Sequence, residues 1–178
     1  ICEGMLKSDV LNSVALRYFN PIGSHTSTLI GDCSSDKACN LIPIITEVAI
    51  GKRKKITVFG DDYNTPDGTC IRDYIHVVDL AKSHILAIDF LIKNPGLHAF
   101  NVGTGIGVSV LDTIKTFERT NNLKINYSIG CRRSGDIEKI YSNGNLVSAK
   151  LGWEPKESLE KAMRSAWDWE KKKQILSF

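Results

Sequence analysis

No two of the five cysteines stand at C-x-x-C spacing, and their number is odd: Cys2, Cys33, Cys39, Cys70 and Cys131 are scattered along the chain. A zinc knuckle or a dithiol redox pair is excluded on that spacing. Isolated thiols suit a reducing compartment, so the expected location is cytoplasmic. Long apolar runs are also missing. The most apolar stretch is interrupted by Asp79, Lys82, His84, Asp89 and Lys93, which excludes a membrane span there. No charged segment followed by an apolar one opens the chain, so no secretory signal is expected. A strong charge bias is lacking too: 23 Lys+Arg against 20 Asp+Glu leaves +3, too little for an ordinary nucleic-acid binder. The one basic run, Lys52 to Lys55, has no interleaved aromatic residue for base stacking. The four histidines, His25, His76, His84 and His98, form no pair at metal-ligand spacing, and no G-x-S-x-G occurs.

What is present is ordinary globular composition, with 42% apolar and 24% charged residues in a chain of 178. That length is about 1.2 domains. Val14 to Asn20 reads as a strand stopped by Pro21-Ile22-Gly23, followed by a loop from Ser24 to Cys39. Asn40 offers an N-cap for a helix from Leu41 to Ile50, with Gly51 as the stop. Strands are predicted over Ile56 to Gly60 and Thr69 to Val77. Ala81, Ile85, Ile88 and Ile92 recur at helical spacing and predict a helix from Asp79 to Lys93. A strand from Ala99 to Val102, a helix capped by Ser109 and running through Phe117, and a strand from Lys124 to Ile129 follow. Two helices close the chain, from Asn145 to Leu151 and from near Ser158. Strands alternating with helices predict an α/β fold.

Two segments could carry chemistry. On a strand, Cys70, Arg72, Tyr74 and His76 share one face, which sets a guanidinium beside a phenol. An arginine fork suits a phosphate, though a solvated face with Arg72 paired to a nearby acid fits the same pattern. Cys131-Arg132-Arg133-Ser134-Gly135-Asp136 places two arginines and a carboxylate around a Gly turn. It could hold a diphosphate and a ribose, or it could be a plain basic turn. Gly103-Thr104-Gly105-Ile106-Gly107 lies between a strand and a helix, but Val108 stands where a dinucleotide fingerprint needs its third Gly. It reads as a structural turn.

Several segments together resemble the UDP-glucose 4-epimerase family of the extended short-chain dehydrogenase/reductase superfamily. They are Arg17-Tyr18-Phe19-Asn20-Pro21, Asn40-Leu41-Ile42-Pro43, Val58-Phe59-Gly60-Asp61, Arg72-Asp73-Tyr74-Ile75-His76-Val77, Asn101-Val102-Gly103 and Arg132-Arg133-Ser134-Gly135-Asp136. The resemblance covers only the C-terminal half of the family. The family's Gly-rich NAD loop and Tyr-x-x-x-Lys pair would lie upstream, and the chain looks like a C-terminal piece with no catalytic residue of its own. The resemblance implies residues 1–23 as the end of a Rossmann-type domain and 24–178 mainly as the substrate domain, with 99–120 returning to the Rossmann-type sheet.

The resemblance also implies NAD as cofactor, a UDP-hexose as substrate and a homodimeric parent enzyme. Tyr18 would meet the nicotinamide end of NAD and also the substrate. Phe19 and Asn20 would contact the sugar diphosphate, Asn40 and Leu41 the substrate at a helix start, and Thr57, Val58 and Phe59 would line the uracil pocket. Arg72 and Arg133 would hold the diphosphate with Tyr74 beside Arg72, and Asp136 would accept from the ribose. Ile140 would border the hexose. Cys39 stands where the family often has Asn. The rival readings are another nucleotide-sugar-modifying member of the superfamily and a non-catalytic nucleotide-sugar binding module.

Overall fold

The structure is a computed structural model that describes residues 12–33 and 38–176. Among the described residues the strands form three small sheets. In the first, β1 (Ser13–Tyr18) runs parallel to β5 (Leu97–Val102). In the second, β2 (Asn20–Ile22) lies parallel to β4 (Ile71–His76), and β4 also pairs with β6 (Gly107–Ser109) and β8 (Lys139–Ile140). The third joins β3 (Ile56–Phe59) to β7 (Tyr127–Gly130) in parallel. The predicted first strand is therefore two strands. It breaks at Phe19, so that β1 joins one sheet and β2 another. Pro21 sits in β2 at the edge of its sheet, where a missing N–H donor costs little.

The helices are α1 (Leu41–Ala49), α2 (Val77–Lys93), α3 (Val110–Asn121), α4 (Asn145–Leu151) and α5 (Leu159–Leu176). Their ends follow local rules. The Ser109 hydroxyl accepts from the Asp112 N–H at 3.0 Å and starts α3. Gly152, in the left-handed region at φ 62°, ends α4. α2 starts two residues earlier than predicted because His76 acts as its cap, with Nδ1 accepting from the Val78 N–H at 3.1 Å. Asn40 takes the N-cap position of α1, but its side chain makes no capping bond.

Two cores result. One gathers α1, α3 and α5 around Ile45, Ile56, Ile114, Phe117 and Met163. Full burial of Phe117 alone contributes about 1.5–3 kcal/mol. The other packs α2 and α4 on the β1–β5 sheet through Leu80, Ala87, Phe100, Val102, Val147 and Trp153. The helical spacing that predicted α2 marked its outer face. Ile85, Ile88 and Ile92 are 61%, 62% and 74% exposed, whereas Leu80, Ser83 and Ala87 face the sheet. The helix carries two apolar stripes, and the sheet meets only one of them.

Asp79 ties α2 to the loop before α5. Its buried carboxylate accepts from the Lys156 and Glu157 N–H groups at 2.7 Å each, and from Lys82. Burial alone would raise this carboxyl. The two backbone bonds and Lys82 outweigh burial and hold it below the usual range.

Candidate functional site

A cavity of about 460 Å³ opens where β1, β2, β4 and β5 meet the segment leading into β8. Arg17 and Tyr18 enter it from the end of β1, and Phe19 and Asn20 from the crossing between sheets. Arg72, Asn101, Gly135, Asp136, Ile137 and Ile140 complete the wall. Six sequence-predicted residues are thus brought together: Tyr18, Phe19, Asn20, Arg72, Asp136 and Ile140. Residues 72 and 140 are register partners across β4 and β8, which fixes the guanidinium arm beside the Ile140 side chain.

Charge in the site is organised around Asp136. Arg133 donates to its Oδ1 at 3.0 Å, and an Arg72 nitrogen stands 3.8 Å from the same oxygen. Arg72 also donates to the Ile137 carbonyl at 2.6 Å and to its neighbour Ile71 at 2.8 Å. The Arg133 guanidinium lies 5.3 Å from the centre of the Phe59 ring. Hydrogen bonding to Asp136 holds the Arg133 guanidinium above its usual range. Arg132 is engaged elsewhere. It donates to Asp62 at 2.6 Å and stacks 4.1 Å over Tyr63, and that hydrogen bond holds the Asp62 carboxyl below its usual range. Two guanidinium groups, of Arg72 and Arg133, therefore flank one carboxylate, and Arg17 lines the same cavity, whereas Arg133 stands behind Asp136 and is not itself on the wall. That balance suits a ligand with two or more negative charges and a hydroxyl-bearing ring.

Other predicted residues lie away from the cavity wall. Tyr74 is 8% exposed and belongs to the core with Ile22 and Ile114. Burial pushes its phenol up to about 12, against a hydrogen bond with Thr113. It does not line the cavity beside Arg72, because both faces of β4 are covered and alternation alone does not separate wall from core. Val58 is buried at 2% exposure, while its neighbours Thr57 and Phe59 are exposed. Asn40 is exposed at the start of α1, and Leu41 packs on the core.

Arg17, Asn101, Gly135 and Ile137 were not predicted. A usable signal existed for the first, since Arg17 is the lone charge in an apolar strand. Asn101 is its register partner across β1 and β5, which only the pairing reveals. A second cavity, about 390 Å³, lies between Gly103, Thr104 and α4. It carries no basic side chain to meet an anion. Among the described residues, no group of three or more His, Cys, Asp or Glu could hold a metal ion. Nor is any helix long and apolar enough to cross a membrane.

The GDP-mannose 4,6 dehydratase family matches residues 1–166. The chain belongs to this family. Among its relatives is the UDP-glucose 4-epimerase of Haemophilus influenzae, 51% identical over 156 residues, covering 88% of this chain and 46% of that protein. The family likeness extends to solved structures. One is UDP-glucose 4-epimerase from Stenotrophomonas maltophila with bound NAD and formylated UDP-arabinopyranose, at TM-score 0.95 and 39% identity, covering 98% of this chain and 52% of that one. Another is the Bifidobacterium longum enzyme in complex with NAD+ and UDP, at TM-score 0.91 and 41% identity, covering 97% of this chain and 51% of that one. This member of the dehydratase family spans about half the length of the curated relatives it matches.

Proposed function

We propose that this chain is the nucleotide-sugar-binding half of an NAD-dependent UDP-glucose 4-epimerase. The observation that carries the reading is the meeting of Arg72, Asp136 and Ile140 with Tyr18, Phe19 and Asn20 around one cavity. Arg72 and Arg133 hold the diphosphate, each able to offer a planar fork of donors. Arg133 exchanges its bond to Asp136 for one to the ligand, and the freed carboxylate accepts from the ribose hydroxyls. Phe59, beside Arg133, closes the uracil side with Thr57, and Val58 supports them from beneath. Asn40 has an uncommitted side chain at the start of α1, next to Leu41, and bonds the phosphate or sugar. Ile140 borders the hexose. Tyr74 supports Arg72 from the core and does not touch the ligand.

NAD would supply reversible hydride transfer at C4 of the hexose. The fit of this chain to that cofactor is limited to one end. The Tyr18 ring is 50% exposed at the end of β1, flanked by His84 at 6.3 Å, and can meet the nicotinamide. The Gly103 to Gly107 turn is occupied with Asp73 and β6 and is not a dinucleotide cradle. On this reading residues 1–23 end the Rossmann-type domain, 99–120 return to its sheet and the rest of 24–178 is mainly the substrate domain; the pairing of β1 with β5 supports the return. The parent enzyme is a cytoplasmic homodimer. Titration of UDP, UDP-glucose and UDP-galactose into the chain by calorimetry tests the reading. Binding of all three is expected, without turnover when NAD is added, because the sequence contains no Tyr-x-x-x-Lys. No binding of any of them overturns it.

A further inference from the structure

Asp73 is wholly buried between Arg72 and Tyr74, and its carboxylate accepts four hydrogen bonds. Oδ1 accepts from the Thr104 N–H at 2.8 Å and from the Thr104 hydroxyl at 2.6 Å. Oδ2 accepts from the Gly105 and Ser142 N–H groups, at 3.0 Å each. All four donors are neutral, and they come from two segments remote in sequence. Thr104 and Gly105 follow β5, just past Asn101. Ser142 follows β8, two residues past Ile140.

One carboxylate therefore joins three segments, and each of them sets a residue on the cavity wall: Arg72, Asn101 and Ile140. A fourth wall residue depends on the same packing. A Cβ on Gly103 would come within 2.4 Å of Asp73 Oδ2 and 3.0 Å of the Phe19 ring. The bare backbone there leaves room for the carboxylate, the Ser142 side chain and the ring together. The sheet does only part of this work. β8 is two residues long, both exposed, and pairs with β4 at two positions only. The Ser142 bond adds to the Ile71–Glu138 backbone bond and the Arg72–Ile137 bond in holding Ile140 against Arg72.

We propose that Asp73 is a positioning residue of the nucleotide-sugar cavity, fixing Arg72, Asn101, Ile140 and Phe19 relative to one another without touching the ligand. The identity of the ligand rests on the function proposed above. Asparagine at 73 keeps one acceptor oxygen and turns the other into a donor aimed at two N–H groups. Asp79 supplies the control. It is equally buried and accepts from two backbone N–H groups, but its partners at 156 and 157 are not on this cavity.

The test compares the wild-type chain with Asp73→Asn, Thr104→Val and Asp79→Asn. UDP-galactose affinity is read by calorimetry, stability by thermal melting, and amide exchange and shifts by NMR. Asp73→Asn and Asp79→Asn should both lower the melting temperature. Only Asp73→Asn should weaken UDP-galactose on the order of tenfold or more, the effect of ~1.4 kcal/mol. Thr104→Val, which removes one of the four bonds, should fall between. Exchange at Gly105 and Ser142 should accelerate, and the Asn101 and Ile140 amides should shift, in Asp73→Asn but not in Asp79→Asn. Unchanged affinity in Asp73→Asn, or an equal loss in Asp79→Asn, overturns the proposal. Should Asp73→Asn fail to fold, unchanged affinity in Thr104→Val overturns it instead. If the wild type binds no UDP-sugar, the function proposed above fails on its own. The NMR arm then decides this inference: selective acceleration and shifts support it, and their absence overturns it.

Discussion

Arg133 spends its strongest contact on Asp136, three residues along the same turn and 3.0 Å away. The pair is open to water on the arginine side, where the side chain is 60% exposed, so the bond is cheap to exchange. A diphosphate offers the same guanidinium more acceptor oxygens than one carboxylate does.

Arg133→Ala should therefore weaken UDP binding while leaving the fold intact. A hydrogen bond to a charged group is worth about 1.5–3 kcal/mol, which is roughly 10- to 150-fold in affinity. Calorimetry with UDP reads it directly. Unchanged affinity would remove Arg133 from the site.

Ile140→Ser should admit larger sugars. Ile140 is branched at Cβ, stiff at χ1 and held beside Arg72 by the β4–β8 register. In a complete enzyme containing this segment, the substitution should raise activity on N-acetylated UDP-hexoses relative to the plain pair. Equal turnover of both pairs by the wild type would show that Ile140 is not the wall.

His76 predicts a pH effect on stability. Burial lowers its pKa, against the pull of Glu157 and Asp79. Its Nδ1 accepts from the Val78 N–H at the start of α2, and a proton there would turn that acceptor into a donor. The unfolded chain thus binds the proton more readily than the folded one. The stability is fully present above the unfolded value of about 6.5 and is lost as pH falls from there toward the lower folded value. Urea melts at pH 7.5 and 5.5 should show the loss. His76→Asn, which keeps an acceptor but does not titrate, should flatten it. The stability that the buried Asp79 carboxyl contributes is present above its ordinary value of about 3.9 and is lost as pH falls from there, because its shift is also downward.

The outer stripe of α2 should drive self-association of the isolated chain. Ile85, Ile88 and Ile92 form an exposed apolar row, and β1 has no strand on its second edge among the described residues. Replacing the three isoleucines by Gln should reduce light scattering without lowering the melting temperature, since none of them packs in the core. Equal scattering by wild type and variant would show that the row is not the cause.

What could be read from sequence divides along the range of the interactions. The start of α3 at Ser109 and the stop of α4 at Gly152 depend on neighbours within a turn, and both were legible. So was the nearness of Arg72 to the Arg133–Asp136 turn, through the family resemblance. The burial of Tyr74 was not, because strand alternation names two faces without saying that both are covered. The inward face of α2 was hidden for a related reason: two apolar stripes share the helix, and the sheet chooses between them. Asp73 stands within a segment of the family resemblance, but nothing near it in sequence names its partners. Its donors lie about 30 and 70 positions away along the chain, and no motif encodes such a meeting.

Phe19 is the single residue by which the chain leaves the β1–β5 sheet and enters the sheet of β2 and β4. The cavity straddles that crossing, with Arg17, Tyr18 and Asn101 on one side and Asn20, Arg72 and Ile140 on the other. Its width is therefore a mechanical quantity. The gap between facing walls is held by the Asp73 carboxylate of β4, which accepts from Thr104 and Gly105 just beyond β5. A ligand that touches both sides adds a second brace, outside the protein's own bonds, across a joint where the two sheets share one residue of continuous backbone.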